Sequence, residues 1–163
     1  MSNGRRPRLG AALSVVGFGW LGVACGSSDG DSTNAEPICL DKPADATCTT
    51  VPYGIHNGQI APTFSDIFSH TLQQSCGSQT TCHAGSRPQN GLALDVQATA
   101  YTDLMAENAA GTTRRVIPRD TKCGELIVRL ETPNVSWGMP KGSHLPDDLL
   151  CVFRHWIAEG APR

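Results

Sequence analysis

Residues 76–83 read Cys-Gly-Ser-Gln-Thr-Thr-Cys-His and place two thiols and an imidazole close together in the chain. A second feature, Met139-Pro140, follows in a stretch that also contains Gly138 and Gly142. A methionine in such a stretch is presented by a loop, whereas the other internal methionine, Met105, falls in a helical pattern. The chain therefore offers sulfur and imidazole side chains at two distant places, which the fold can bring together.

A Cys-His pair preceded by another cysteine is the arrangement that holds covalent haem. Cys76 and Cys82 would form the thioethers to the porphyrin. His83 would bind the iron from one face and Met139 from the other, with His144 as the reserve axial ligand. Haem attachment normally reads C-x-x-C-H, but five residues separate the cysteines here. The three additional residues would have to loop out, and attachment through Cys82 alone also fits the pattern.

The same residues have plainer interpretations. Cys76 and Cys82 can pair in a disulfide, His83 can be a polar loop residue, and Met139 can be a packing side chain. A zinc site on the two cysteines and the histidine is disfavoured, because structural zinc sites favour two to four residues between paired cysteines and a fourth ligand is not evident. No nucleophile–base pair or acidic dyad indicates an enzyme.

The N-terminus has the organisation of an export signal. Three arginines precede an apolar stretch from Leu9 to Ala24, which is short for a membrane-spanning helix. The stretch ends in Leu21-Gly22-Val23-Ala24-Cys25, which resembles a bacterial lipobox with its leucine one position early. The resemblance implies a signal peptide over residues 1–24, a lipidated (palmitate-bearing) Cys25, and a flexible tether over residues 25–38. Ordinary signal-peptide cleavage and an uncleaved anchor are the alternatives.

A lipidated Cys25 implies a protein held on a membrane of the cell envelope of a Gram-negative bacterium. Gly26 stands where similar lipoproteins carry the Asp that retains them in the inner membrane, so we expect the outer membrane. Without residues 1–24 the chain has 10 basic and 15 acidic side chains, a net charge of −5. This acidic balance argues against nucleic acid as a partner.

The cysteine count fits an exported protein. Six of the seven cysteines remain when Cys25 is lipidated, and in an oxidising compartment they are expected to pair. Cys39 and Cys48 bracket a short proline-containing loop and predict one disulfide. Cys123 and Cys151, both in segments predicted to be helical, predict a second. The remaining two cysteines are left for haem or for a third bridge.

Helical periodicity begins after a loop-rich lead-in, residues 39–61. Thr63–Asp66 is similar to a capping box, and apolar residues then recur on one face to about Gln74. No strong hairpin signal is present. Further helices are predicted over 98–107, 120–130 (with a strand as the alternative for 125–130) and 146–160. The patterns together predict a small all-α domain with long loops over residues 62–163.

In this order the motifs resemble the cytochrome c domains of bacterial exported proteins. The resemblance implies a first helix that ends at the haem site, a loop that carries the axial methionine, and a last helix packed across the first. It also implies covalent haem c, iron closed to substrate, and a redox partner protein. The stretches that carry it after Cys82-His83 are Gly91–Leu94, Val116–Asp120 with Arg119 where the family has glycine, Met139–Gly142 and Trp156–Ala161.

Two functions follow as expectations. The first is a lipid-tethered monohaem electron carrier that is not an enzyme. The second is a haem-free, disulfide-stapled cytochrome c-like lipoprotein that acts as a structural or interaction module of the envelope. For the first, the candidates for the apolar walls around the iron are Phe68, Leu94, Leu104, Leu130 and Trp156.

Overall fold

The computed structural model describes residues 37–53 and 58–163. The predicted signal peptide, Cys25 and most of the tether lie outside the described residues. Within them, no helix has the length and apolar character needed to cross a membrane. The elements are β1 (Val51–Tyr53), β2 (Gly58–Ile60), α1 (Phe64–Ile67), a π-helix (Phe68–Cys76), a 3₁₀ turn (Gln89–Gly91), α2 (Gln97–Met105), α3 (Glu125–Glu131) and α4 (Asp147–Ala158).

The prediction of an all-α domain is wrong. Helices account for only 36% of the described residues, and β1 pairs with β2 in a two-stranded antiparallel sheet. The sequence hides this hairpin because three-residue strands, one of them containing Pro52, are too short to show alternation. Val51 and Ile60 face each other in the sheet and are buried in the core, so the lead-in contributes to the same core as the helices.

The first helical stretch begins where the capping pattern predicts. The Thr63 hydroxyl accepts a hydrogen bond from the Asp66 N–H at 3.2 Å, and the Asp66 carboxylate accepts one from the Ala61 N–H at 3.0 Å. α1 continues directly into the π-helix, whose wider turn is closed by Gly77 N–H donating to the Leu72 carbonyl at 2.7 Å. Short π-helical segments are frequent at functional sites, and this one ends at the first cysteine of the Cys-His stretch.

Phe64 is the centre of an aromatic cluster that joins α1 to α4. Its ring centroid lies 5.7 Å from that of Trp156 and 5.0 Å from that of Tyr101. The Trp156 indole N–H donates to the Pro162 carbonyl, and the Tyr101 hydroxyl donates to the Ala161 carbonyl. The last helix therefore packs across the first, and the C-terminal residues close over the cluster.

α3 begins later than the sequence predicts. The Asp120 carboxylate accepts hydrogen bonds from the backbone N–H groups of Lys122 and Cys123 at 2.8 and 2.9 Å, so it closes a turn instead of capping a helix. The helix begins at Glu125, and the strand alternative for 125–130 is wrong. A paired Glu131 and Arg154, joined by two hydrogen bonds of 2.5 and 2.7 Å, connect α3 to α4.

Arg119 has an unusual backbone conformation for a residue with a side chain. Its φ is 67°, in the left-handed region that glycine adopts without a steric cost. The Arg119 N–H donates to the Ile157 carbonyl at 2.8 Å, which fixes the loop before α3 against α4.

The predicted disulfide pairings are wrong, although all four cysteines are bridged. Cys39 is bonded to Cys123 and Cys48 to Cys151, with Cα–Cα distances of 4.1 and 5.8 Å. Nearness in sequence favoured the pairs 39–48 and 123–151, but cysteine spacing does not determine connectivity. The fold instead lays the lead-in against the C-terminal half of the chain.

Residues 38–48 form a strap across the C-terminal half. The Leu40 N–H donates to the Lys122 carbonyl at 2.8 Å. Further along, the Ala46 carbonyl lies 3.0 Å from Nδ1 of His155 on α4. Together with the two disulfides, the strap holds α4 and the segment that leads into α3.

Candidate functional site

An open cavity of about 470 Å³ lies between the π-helix, the loop that follows it, α3 and the loop before α4. Its volume falls in the range of small-molecule and cofactor pockets, about 300–1,000 Å³. The apolar part of the lining is dominated by leucine and consists of Leu72, Leu92, Leu94, Leu104, Leu126, Leu130, Leu145 and Phe153.

The cavity collects the residues that the sequence singles out. Cys76, Cys82 and His83 reach it from the end of the π-helix and the following loop, and Met139 reaches it from the loop between α3 and α4. His144, the reserve axial ligand, also lines it. All five residues predicted to attach haem or to ligate its iron therefore border one cavity.

The His83 ring is held in an orientation suited to a metal ligand. Its Nδ1 lies 3.1 Å from the Leu92 carbonyl oxygen, which can only accept, so Nδ1 carries the proton and Nε2 keeps its lone pair. Metal-ligating histidines are commonly fixed by such a bond. Burial lowers the pKa of His83 below its ordinary value, and the bond to Leu92 opposes this only in part. The neutral imidazole, which is the ligand form, is therefore favoured.

Cys76 and Cys82 are not bonded to each other, so the alternative of a bridge between them is wrong. The Cys76 thiol is free and half-buried, and burial raises the pKa of Cys76 to about 11. Cys82 is disulfide-bonded, and its sulfur lies 3.9 Å from the Thr81 hydroxyl. Thioether formation at Cys82 would therefore need prior reduction, whereas Cys76 is already a thiol.

Met139 is positioned by its backbone. The Met139 N–H donates to the Arg129 carbonyl at 3.0 Å, and the Met139–Pro140 peptide is cis. A Cβ on Gly138 would lie 2.3 Å from the Thr132 carbonyl oxygen, so only glycine permits this close approach. Met105, in contrast, packs against the core.

The apolar walls agree in part with the prediction. Leu94, Leu104 and Leu130 line the cavity. Phe68 and Trp156 do not line it and are buried in the core. They were predicted as walls because they lie on the inward faces of the first and last helices, and those faces pack against each other. Phe153, which does line the cavity, is the contribution of α4.

Sequence reasoning missed Arg115. Its side chain lines the cavity and is only 4% exposed. The guanidinium donates to three backbone carbonyls, those of Asp103 (2.9 Å), Glu107 (2.6 Å) and Asn90 (2.6 Å). None of the described carboxylates forms an ion pair with it. A lone arginine beside Val116 carries no sequence signal of burial, because only the tertiary fold encloses it.

The lining has an excess of positive charge. Besides Arg115, it includes Arg129 and Lys141, against the single carboxylate of Glu125. Glu125 is itself engaged, since it accepts a hydrogen bond of 2.6 Å from the Asn108 amide. The cavity therefore favours a ligand that is apolar over most of its surface and negatively charged at one end.

Comparisons with protein-family models, with curated proteins and with solved structures give no match. Within residues 37–53 and 58–163, no three His, Cys, Asp or Glu side chains are grouped so that they could hold a metal ion by themselves. Haem iron needs only one or two ligands from the protein, because the porphyrin supplies its other ligands. The residues present fit such a group: an oriented imidazole, a thioether, a free thiol and an apolar cavity.

Proposed function

We propose that this protein is a lipid-anchored monohaem electron carrier of the bacterial cell envelope, with haem c in the cavity. The observation that carries the proposal is the meeting of two distant segments. Cys76, Cys82 and His83 border the same cavity as Met139, which comes from a loop beyond α3. The excess of cations in the lining suits the carboxylates of a porphyrin.

The proposed roles follow from the side chains. Bound haem supplies one-electron chemistry at its iron. Nε2 of His83 and the sulfur of Met139 would hold the iron, and together they would leave no coordination position open to a substrate. Cys76 would form one thioether and Cys82 the other, each from its reduced thiol. In protein acylated at Cys25 no cysteine remains for Cys82 to bridge, because four are paired with one another and Cys76 is a thiol. The leucine lining excludes water, and methionine ligation raises the reduction potential.

The long cysteine spacing is accommodated locally. Ser78 to Thr81 are exposed, and the Cys82 N–H donates to the Gln79 carbonyl at 3.1 Å. The additional residues thus form an exposed turn at the cavity rim, where Gln79 also lines the cavity, and the chain continues into the lining at Cys82. This arrangement supports the looped-out form of the attachment sequence.

The test is the visible spectrum of protein made in a host that matures c-type cytochromes. We expect a haem band that stays with the polypeptide after denaturation, because the thioethers are covalent. His83→Ala and Met139→Ala should each change the band of the folded protein, since each removes an axial ligand. Met105→Ala is the matched control, because Met105 packs against the core and does not line the cavity.

The opposite result is equally clear. Protein made with the maturation machinery but without any haem band would remove the electron-carrier proposal. The second candidate function, a haem-free envelope module, would then stand. The strap and its two disulfides favour this second function, because they stabilise the domain without any cofactor. That module would have two staples within the described residues, since Cys76 is free.

A further inference from the structure

Arg115 is a buried cation that lacks a counter-ion. Burial of a charge is costly unless an opposite charge or a full set of hydrogen bonds compensates it. Three carbonyl oxygens contact the Arg115 guanidinium, but no described carboxylate pairs with it. Because Arg115 also lines an open cavity, an anion that enters from solvent can supply the missing charge.

The guanidinium retains donors for such an anion. An arginine has five N–H donors, and the bonds to Asp103, Glu107 and Asn90 use three of them. The same three bonds connect α2 and its following loop to the 3₁₀ turn, so the charged group is held rigidly at the cavity wall. A rigid guanidinium with free N–H groups is the group proteins favour for carboxylates.

The rest of the cavity defines the body of the ligand. Seven of the lining residues are leucines, and their side chains can pack against a flexible aliphatic chain as well as against a ring. Glu125, the single carboxylate of the lining, already accepts the hydrogen bond from Asn108. A ligand with one carboxylate and an aliphatic tail therefore suits both the guanidinium and the leucines of the lining.

We propose that the haem-free protein binds an aliphatic monocarboxylate in this cavity, with its carboxylate on Arg115 and its chain along the leucines. This inference goes beyond the electron-carrier function, because it needs neither iron nor a thioether. The acid and haem would compete for the same space. The acid would thus be bound only before haem is attached. If haem is never attached, the acid would be the ligand of the mature protein.

The experiment compares two probes of equal chain length, octanoate and octanol. Full-length haem-free protein in phospholipid nanodiscs is titrated calorimetrically with each probe, with empty nanodiscs as the blank. We expect wild type to bind octanoate at least tenfold more tightly than octanol, because a hydrogen bond to a charged partner is stronger than one to a hydroxyl. Arg115→Gln should remove this preference and Arg115→Lys should restore part of it.

Arg87→Gln is the matched control, since Arg87 is exposed and does not line the cavity, and it should keep the preference. Equal affinities of wild type for the two probes would overturn the proposal, as would the absence of saturable binding by octanoate. Loss of the preference in Arg87→Gln with retention in Arg115→Gln would also overturn it. If Arg115→Gln proves unfolded by circular dichroism, the octanoate–octanol comparison in wild type decides by itself.

Discussion

Gly77, directly after Cys76, lies in close contact with the backbone of residues 94 and 95. A Cβ there would lie 2.1 Å from the Leu94 carbonyl oxygen and 2.8 Å from the Asp95 nitrogen. We expect Gly77→Ala to lower the free energy of unfolding by at least about 2 kcal/mol, because backbone atoms must move. Gly142→Ala is the matched control: its φ is 71° but no atom lies within 4 Å of the new Cβ, so only about 1 kcal/mol is lost. Urea unfolding measures both, and equal losses would contradict the packing argument.

Cys76 gives a prediction about pH. Burial raises the pKa of its thiol from 9.0 to about 11, so the folded state keeps a proton that the unfolded chain loses. The resulting stabilisation is complete below pH 9 and is lost as the pH rises toward 11. At pH 8 the thiolate fraction, and with it the rate of alkylation by iodoacetamide, should be tenfold to roughly 100-fold lower in haem-free folded protein than in urea. Equal rates would show that the thiol is not shielded.

At this scale, sequence is informative where the chemistry is local. Cys82 and His83 are adjacent, and Met139 lies in a glycine- and proline-rich loop, so their candidacy could be predicted from the sequence. Arg115 could not be predicted, because its role depends on carbonyls contributed by three separate segments. The hydrogen bond from His83 to Leu92 depends in the same way on how the loop folds back.

At the scale of the elements, the position of the strap predicts which cysteines are bonded to each other. Digestion of non-reduced protein followed by mass spectrometry should yield linked peptides that contain Cys39 with Cys123 and Cys48 with Cys151. The fold places these pairs together, whereas chain proximity favours 39–48 and 123–151. Recovery of the latter pairs would contradict the position of the strap.

The elements differ in how well sequence predicts them. α4 has twelve residues, a regular apolar face and two acidic residues in its first turn, and its limits were predicted closely. The hairpin has three-residue strands, which periodicity does not detect. The start of α3 was misplaced because Asp120 suits a turn as well as a helix cap, and only the observed hydrogen bonds distinguish the two.

For the molecule as a whole, the longer disulfide should matter most to stability. Cys48 and Cys151 are 103 residues apart, and the chain-entropy model assigns a loop of that size about 4.7 kcal/mol. Because such bridges often deliver less, we expect Cys48→Ser combined with Cys151→Ser to lower the free energy of unfolding by about 2–4 kcal/mol. Chemical denaturation of both proteins measures this. A loss below about 1 kcal/mol would mean that the strap is held without the bond.

The lipid anchor is also a property of the whole molecule. We expect Cys25→Ser to release the protein from the membrane fraction or to leave an unprocessed precursor, because the acylated thiol is the proposed attachment point. Labelling with a radioactive fatty acid measures acylation directly, with Cys76→Ser as the control that should remain labelled. A wild-type protein that fractionates without membranes and carries no acyl label would contradict the proposed anchor.

The strap also determines how the domain bears a mechanical load. A pull applied ahead of Cys39 and resisted at the C-terminus can pass from residue 39 to residue 123 through one disulfide, or along the strap to residue 48 and then to residue 151 through the other. Residues 49–122 lie outside both routes. With Cys82 in a thioether instead of a disulfide, the hairpin, the π-helix and the segment with Cys76 and His83 bear little of this tension. A tethered domain of this design would then keep that part of its cavity in shape while its anchor is under strain.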